Sequence, residues 1–157
     1  PSNIALALAK GARLNGVSFF ENTKATNIDI ENGRVVGVET PQGKIKSEYV
    51  VNCAGMWGRE VGKMAGVDIP LHANEHFYAV TEPIRGLQSD LPVLRIPDEC
   101  TYYKEDAGKL LIGAFEPIAK PWGHNGIPDE FCFDQLPDDL EHFEPILNKA
   151  IKRLPLL

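Results

Sequence analysis

The chain is 157 residues long, 43% hydrophobic and 24% charged, a balance that suits one globular unit or parts of two small ones. Its formal net charge of -6 argues against a general nucleic-acid surface, and no apolar stretch is long enough to span a bilayer. The three cysteines, Cys53, Cys100 and Cys132, are far apart and lack a C-x-x-C pair, which speaks against a zinc site or a disulfide framework and for a reducing compartment rather than secretion.

The chain starts at Pro1 rather than Met and enters a helical pattern at once, so it reads as an excised piece whose leader peptide, if the parent has one, lies outside it. Ser2 or Asn3 can cap a helix carrying Ile4, Ala5, Leu8, Ala9 and Ala12, and Gly16 after Asn15 is a stop signal. Val17 to Phe20 is a short strand candidate. From Thr23 to Lys46 the pattern is strand, turn, strand, turn, strand. Ile28 and Ile30 precede the Glu31-Asn32-Gly33-Arg34 turn, Val35, Val36 and Val38 follow it, and Pro41-Gln42-Gly43 turns the chain again.

The stretch VVNCAGMWG, Val50 to Gly58, then carries the strongest local signal. The apolar run Tyr49 to Val51 reads as a buried strand ending in Asn-Cys-Ala-Gly, and Trp57, Val61, Met64 and Ala65 follow at helical spacing. A strand, tight turn and helix of this kind presents backbone N–H groups at the carboxyl edge of a sheet, where phosphates and dinucleotides settle. An ordinary strand-to-helix turn whose glycines serve packing has the same local pattern.

After Gly66 the character changes. A long strand-like run passes through Glu75-His76-Phe77-Tyr78-Ala79-Val80-Thr81, and Val93 to Ile96, Cys100 to Tyr103 and Lys109 to Phe115 read as further antiparallel strands. The last two are joined by the Glu105-Asp106-Ala107-Gly108 turn. Leu140 to Leu154 can form a closing helix with Leu140, Phe143, Leu147 and Ile151 inward, its acids Asp138, Asp139, Glu141 and Glu144 favoured by the dipole of its first turn. His72, His124 and His142 lack the spacing of a metal site, so no metal is expected.

These motifs, in this order, carry a family resemblance. ENTKATNI, GRVVGVET, VVNCAGMWGREVGKMAGV, HFYAVTEPI, LPVLRIPDECTYYKE and GAFEPIAKPW resemble the dimethylglycine and sarcosine dehydrogenase branch of the D-amino-acid-oxidase-like flavoproteins, over nearly the whole chain. The resemblance implies an α/β and α+β architecture. Residues 1–66 would be the central part of a Rossmann-like FAD-binding domain with a three-stranded antiparallel meander, and residues 67–157 part of an antiparallel-sheet substrate domain. The family's G-x-G-x-x-G phosphate loop is absent from this sequence, so the piece alone is expected to be inactive.

Carried over position by position, the resemblance implies FAD contacts at Ala25, through its backbone to the adenine, and at Asn52, Cys53, Ala54 and Gly55, beside the pyrophosphate and ribityl region. Trp57 would stand at the start of the adjoining helix, where a packing role competes with stacking. His76 and Tyr102 are the catalytic candidates implied. Hydride leaves the carbon beside an amine only when the nitrogen lone pair is free, so a group titrating near neutrality that takes the ammonium proton is needed, and imidazole suits it. Tyr103 competes with Tyr102 for the substrate, since neighbouring strand residues face opposite ways. Arg95 has the planar fork that suits a substrate carboxylate, with a salt bridge to Asp98 or Glu99 as the alternative.

The expected activity of the parent is oxidation of an N-methylated amino acid, of dimethylglycine or sarcosine type, by hydride transfer to FAD. Its partners would be a small amine and an acceptor, oxygen or an electron-transfer flavoprotein. Its place would be the cytoplasm in a bacterium or the mitochondrial matrix in a eukaryote. The alternative is a non-catalytic regulator, because the regulatory subunit of pyruvate dehydrogenase phosphatase resembles the same branch. A transfer-RNA-modifying flavoprotein fits the HFYAVTEPI and YYKE stretches less well.

Overall fold

The computed structural model describes residues 2–157, which divide into two compact units, one ending at Leu71 and the other spanning His72–Leu157. Among the described residues no helix is long and apolar enough to cross a membrane.

The first unit opens with α1 (Ser2–Leu14). Its end is the glycine stop expected from the sequence: Gly16 N–H donates to the Arg13 carbonyl at 3.0 Å and Val17 N–H to the Ala12 carbonyl at 3.1 Å, with Gly16 at a φ of 82°. Residues 17–20 are irregular rather than a strand. Arg13 accounts for part of their conformation, since its guanidinium lies 4.4 Å above the Phe19 ring and also pairs with Glu21.

The expected meander is present as β1 (Asn27–Glu31), β2 (Arg34–Thr40) and β3 (Gly43–Lys46), all antiparallel. Glu31 pairs with Arg34 across Asn32 and Gly33, both at positive φ (51° and 75°), the backbone of a two-residue hairpin turn whose twist matches its strands. Ile28 supplies the buried side chain of this sheet.

Tyr49 to Val51 do not form the buried strand read from their sequence. They are irregular, with Tyr49 83% and Val51 82% exposed. An apolar run becomes a strand only where a neighbour completes its hydrogen-bond ladder, and none of the described strands pairs with it. The turn after it does form. A single 3-10 turn (Gly55–Trp57) leads into α2 (Gly58–Met64), and Gly62 lets the helix lie against the chain returning from it: a Cβ there would stand 2.6 Å from the Ile69 side chain and 2.9 Å from the Val67 carbonyl oxygen.

In the second unit the long strand-like run is broken into β4 (Asn74–Glu75) and β5 (Tyr78–Val80), separated by His76 and Phe77. Then follow β6 (Leu94–Ile96), β7 (Thr101–Asp106), β8 (Lys109–Ala114) and β9 (Lys120–Pro121). The order β5-β8-β7-β6 makes a four-stranded antiparallel sheet, while β4 pairs only with β9. Ala107 and Gly108, at φ of 52° and 80°, form the β7–β8 turn where the sequence placed it.

The closing helix α3 (Leu140–Arg153) is capped by Asp139, whose carboxylate accepts the His142 N–H at 3.0 Å and the Lys120 ammonium at 2.7 Å. Those bonds hold the Asp139 carboxyl below its usual range, the Lys120 contact being the larger cause, and raise Lys120 in turn.

The helix buries Phe143, Ile146 and Ala150, with Leu147 and Leu154 packed alongside, against Tyr103, Leu110, Ile112 and Ala114 of the sheet. Leu140, expected inward, is 75% exposed, and Ile151 also faces outward. The stripe that meets the sheet is 143, 146, 147, 150 and 154. Helical spacing alone allowed a neighbouring stripe; the small Ala150, fully buried, belongs to the side that meets the sheet.

Candidate active site

Strand alternation in β7 decides between the two tyrosines. Tyr103 points with Thr101 into the core beneath α3 and is buried, whereas Tyr102 points to the opposite face. Strand register then aligns four positions across that second face: Arg95 of β6 opposite Tyr102 of β7, Tyr102 opposite Gly113 of β8, and Gly113 opposite Tyr78 of β5.

Gly113 makes the row possible. A Cβ there would stand 1.9 Å from Cζ of Tyr102, so the phenol ring lies directly over the glycine. A Gly113→Ala substitution should therefore displace the Tyr102 ring while leaving the strands paired. The expected result is a loss of activity at least as large as that of Tyr102→Phe, with a melting temperature within a few degrees of the unmutated protein. A variant that unfolds outright, or that keeps full activity, contradicts this reading.

Phe115, next along the chain after β8, gathers the rest of the cluster. The Arg95 guanidinium carbon lies 4.2 Å from its ring centroid, the Tyr102 ring 5.4 Å, and the His76 imidazole 5.7 Å away in an edge-on arrangement. His76, Tyr102 and Arg95, three residues singled out from sequence, thus meet around one aromatic ring. Arg95 makes no ion pair with Asp98 or Glu99 among the described residues; Glu99 is taken by Arg153.

Glu116 was not foreseen. Its side chain is only 4% exposed, and both oxygens are engaged: Oε2 stands 3.0 Å from His76 Nδ1 and Oε1 accepts the Phe77 N–H at 2.9 Å. That second bond also explains why the strand breaks at His76, since the Phe77 donor goes to a side chain instead of a ladder. The available signal was a carboxylate directly after a buried strand and directly before Pro117. Burial first, then the charge of Glu116 and the neighbouring Tyr78, raises the Tyr102 phenol above its ordinary value. Tyr102 is accordingly a neutral hydroxyl across the physiological range, able to donate a hydrogen bond and unsuited to act as a base.

In the first unit, residues 52–55 form a tight loop. Asn52 Oδ1 accepts the Ala54 N–H at 3.1 Å, and Asn52 Nδ2 donates to the Gly58 carbonyl at 2.8 Å, tying the loop to the start of α2. Cys53 is exposed and Ala54 half-buried. Gly55 has a φ of 55°, and a Cβ built on it meets no atom within 4 Å. Ala25 lies half-buried in the segment entering β1, and Trp57 in the 3-10 turn is partly exposed. An open backbone with small side chains fits close approach by a large cofactor. His72 and His124 touch at 4.9 Å, but the described residues contain no cluster of three or more His, Cys, Asp or Glu that could hold a metal.

A family model described as DAO, FAD dependent oxidoreductase, matches residues 1–157. The chain belongs to this family. Its fold and its FAD dependence are those the sequence motifs implied, and dehydrogenases of the sarcosine and dimethylglycine type are among its relatives. The chain is 40% identical to the mitochondrial regulatory subunit of pyruvate dehydrogenase phosphatase of Mus musculus over 99% of its length. It is 38% identical to Homo sapiens mitochondrial sarcosine dehydrogenase and 37% identical to the formaldehyde-forming 4-methylaminobutanoate oxidase of Paenarthrobacter nicotinovorans, in each case over 100% of its length. It spans only 18%, 17% and 19% of these three relatives. The solved L-proline dehydrogenase from P. horikoshii shares the fold, with a TM-score of 0.68 at 24% identity over 94% of this chain and 39% of that one.

Proposed function

We propose that this DAO-family chain belongs to an FAD-dependent amine oxidoreductase whose substrate is an N-methylated amino acid of dimethylglycine or sarcosine type. The observation that carries the reading is the meeting of His76, Tyr102 and Arg95 around Phe115 on the sheet face away from α3. Residues 1–66 serve the cofactor and residues 67–157 the substrate. The backbone at Ala25 and the loop of Asn52, Cys53, Ala54 and Gly55 hold FAD, with Trp57 beside them.

FAD, when bound, accepts a hydride from the substrate carbon. The protein's own part is to prepare the amine. A neutral imidazole hydrogen-bonded to Glu116 through Nδ1–H leaves the Nε2 lone pair to take the ammonium proton, so the amine keeps the electron pair of the broken N–H bond. The Tyr102 hydroxyl donates to the substrate and orients it. Arg95 meets the substrate carboxylate, its charge held in place over Phe115 rather than spent on an acid. Tyr103, sealed in the core, has no contact with substrate in this reading.

The test is anaerobic mixing of the full-length, flavin-loaded protein with dimethylglycine, sarcosine and 4-methylaminobutanoate, following bleaching of the flavin. Bleaching by at least one at a saturable rate is expected; no bleaching by any secondary or tertiary amine overturns the proposal. The similarity to the mouse regulatory subunit favours a second reading, a regulator without turnover, and that outcome would select it. Reoxidation by oxygen or by an electron-transfer flavoprotein, measured in the same experiment, identifies the acceptor. The place follows the source: matrix in a eukaryote, cytoplasm in a bacterium.

By themselves these 157 residues contain no G-x-G-x-x-G loop. Titrated with FAD they should bind it weakly and turn nothing over. Tight stoichiometric binding would show that the loop of residues 52–55 contributes far more than a flanking contact.

A further inference from the structure

We propose that Glu116 is a positioning residue that fixes the tautomer and the direction of the His76 imidazole; this rests on the reading of His76 as the proton acceptor. The carboxylate is buried, and each of its oxygens has one partner, the Phe77 N–H at 2.9 Å and His76 Nδ1 at 3.0 Å. A carboxylate can only accept, so the nitrogen facing it must carry the proton. The lone pair of the neutral ring is then on Nε2. His76 itself is 65% exposed, so that nitrogen remains reachable while its neighbour is anchored.

The surroundings support this assignment over a casual surface pair. An exposed His–Glu contact ordinarily contributes little and leaves both side chains free to rotate. Here the acid cannot rotate without abandoning the Phe77 backbone donor, and the imidazole also rests edge-on against Phe115. The other groups around the site are the phenols of Tyr102 and Tyr78, on β7 and β5, and the Arg95 guanidinium beside Phe115, on β6. On the neighbouring β4–β9 pair, Glu75 is matched with Lys120. Glu116 is therefore the carboxylate that answers the charge appearing on His76. When Nε2 takes the amine proton, the imidazolium keeps its Nδ1–H directed at Glu116, and no further proton moves.

Glu116→Gln tests the idea with little change of shape. The amide oxygen can still accept from Phe77, but an NH2 group now faces Nδ1, which favours the tautomer with the proton on Nε2 and removes the lone pair from the reacting side. In the full-length protein labelled with 15N-histidine, neutral His76 should show an unprotonated Nε2, and Glu116→Gln should move that population toward protonated Nε2. In the flavin-loaded protein the same variant should slow flavin reduction by about ten- to a hundredfold, part of the roughly 10²–10⁴ that a placed base contributes, with substrate affinity within about threefold. In a His76→Ala background it should cost nothing more.

An unchanged tautomer in Glu116→Gln overturns the proposal. So does an equal loss of rate in the His76→Ala background, because Glu116 would then act through the strand break at Phe77. If His76→Ala is itself harmless, the reading of His76 as the proton acceptor fails while amine oxidation stands or falls on the bleaching test, and the tautomer measurement decides the role of Glu116 independently.

Discussion

Replacing His76 with alanine in the full-length protein is expected to slow flavin reduction by about 10²–10⁴-fold, the usual contribution of a positioned general base. The loss should be greatest at low pH. There the amine is almost wholly protonated, and a variant without the imidazole depends on the small fraction of free amine in solution. As pH rises toward the pKa of the amine that fraction grows, so the variant should recover toward the unmutated rate. Substrate affinity should change less than the rate, since Arg95 and Tyr102 remain. Single-turnover reduction measured across pH is the check. A variant that reduces its flavin at the unmutated rate throughout would make His76 a surface partner of Glu116 and nothing more.

Phe143→Ala is expected to destabilise the second unit by about 3–5 kcal/mol, enough to remove much of the stability of a small domain. Phe143 is buried, and it packs with Ile146 and Ala150 of α3 against Tyr103, Leu110, Ile112 and Ala114 of the sheet, so its loss leaves a cavity at the seam between helix and strands. Leu140→Ala, three residues earlier on the same helix, should change stability by no more than about 0.5 kcal/mol, because Leu140 is exposed. Denaturant unfolding of the two variants compares Phe143, common to the stripe read from the sequence and the stripe observed, with Leu140, which only the sequence reading places inward. Equal costs would mean that the helix docks on the face read from the sequence rather than the one observed.

Those two residues show how far the sequence could be read. That a helix occupies the last stretch was legible from its period and its acidic first turn; the Asp139 cap came only from the structure. Which stripe it buries was not, because Leu140, Phe143, Leu147 and Ile151 form as good a helical series as the set that meets the sheet. The Asn32-Gly33 and Ala107-Gly108 turns were legible for a stronger reason: both residues of such turns take positive φ, and few pairs tolerate it. Residues 49–51 show the reverse, since an apolar run has no strand to join unless some other segment supplies the ladder.

The family was legible too, from six motifs in order, and the family match over residues 1–157 agrees with it. His76 and Tyr102 could be named because the family resemblance implies them, with imidazole suited to take an amine proton, and Arg95 because its planar fork suits a carboxylate. Their assembly could not be read, since it depends on strand register, which sets Arg95 opposite Tyr102 and Tyr102 over the bare backbone of Gly113. Glu116 lay beyond sequence reasoning for the same reason. It stands 40 residues from His76, and no local pattern links them. By itself the sequence determined the hairpin turns, the first and last helices, the family and the inventory of reactive groups, because turn chemistry, helical period and motif order are properties of short segments. Only the tertiary structure decided which face each group shares and which acid stands behind the histidine, because those follow from the pairing of strands distant along the chain.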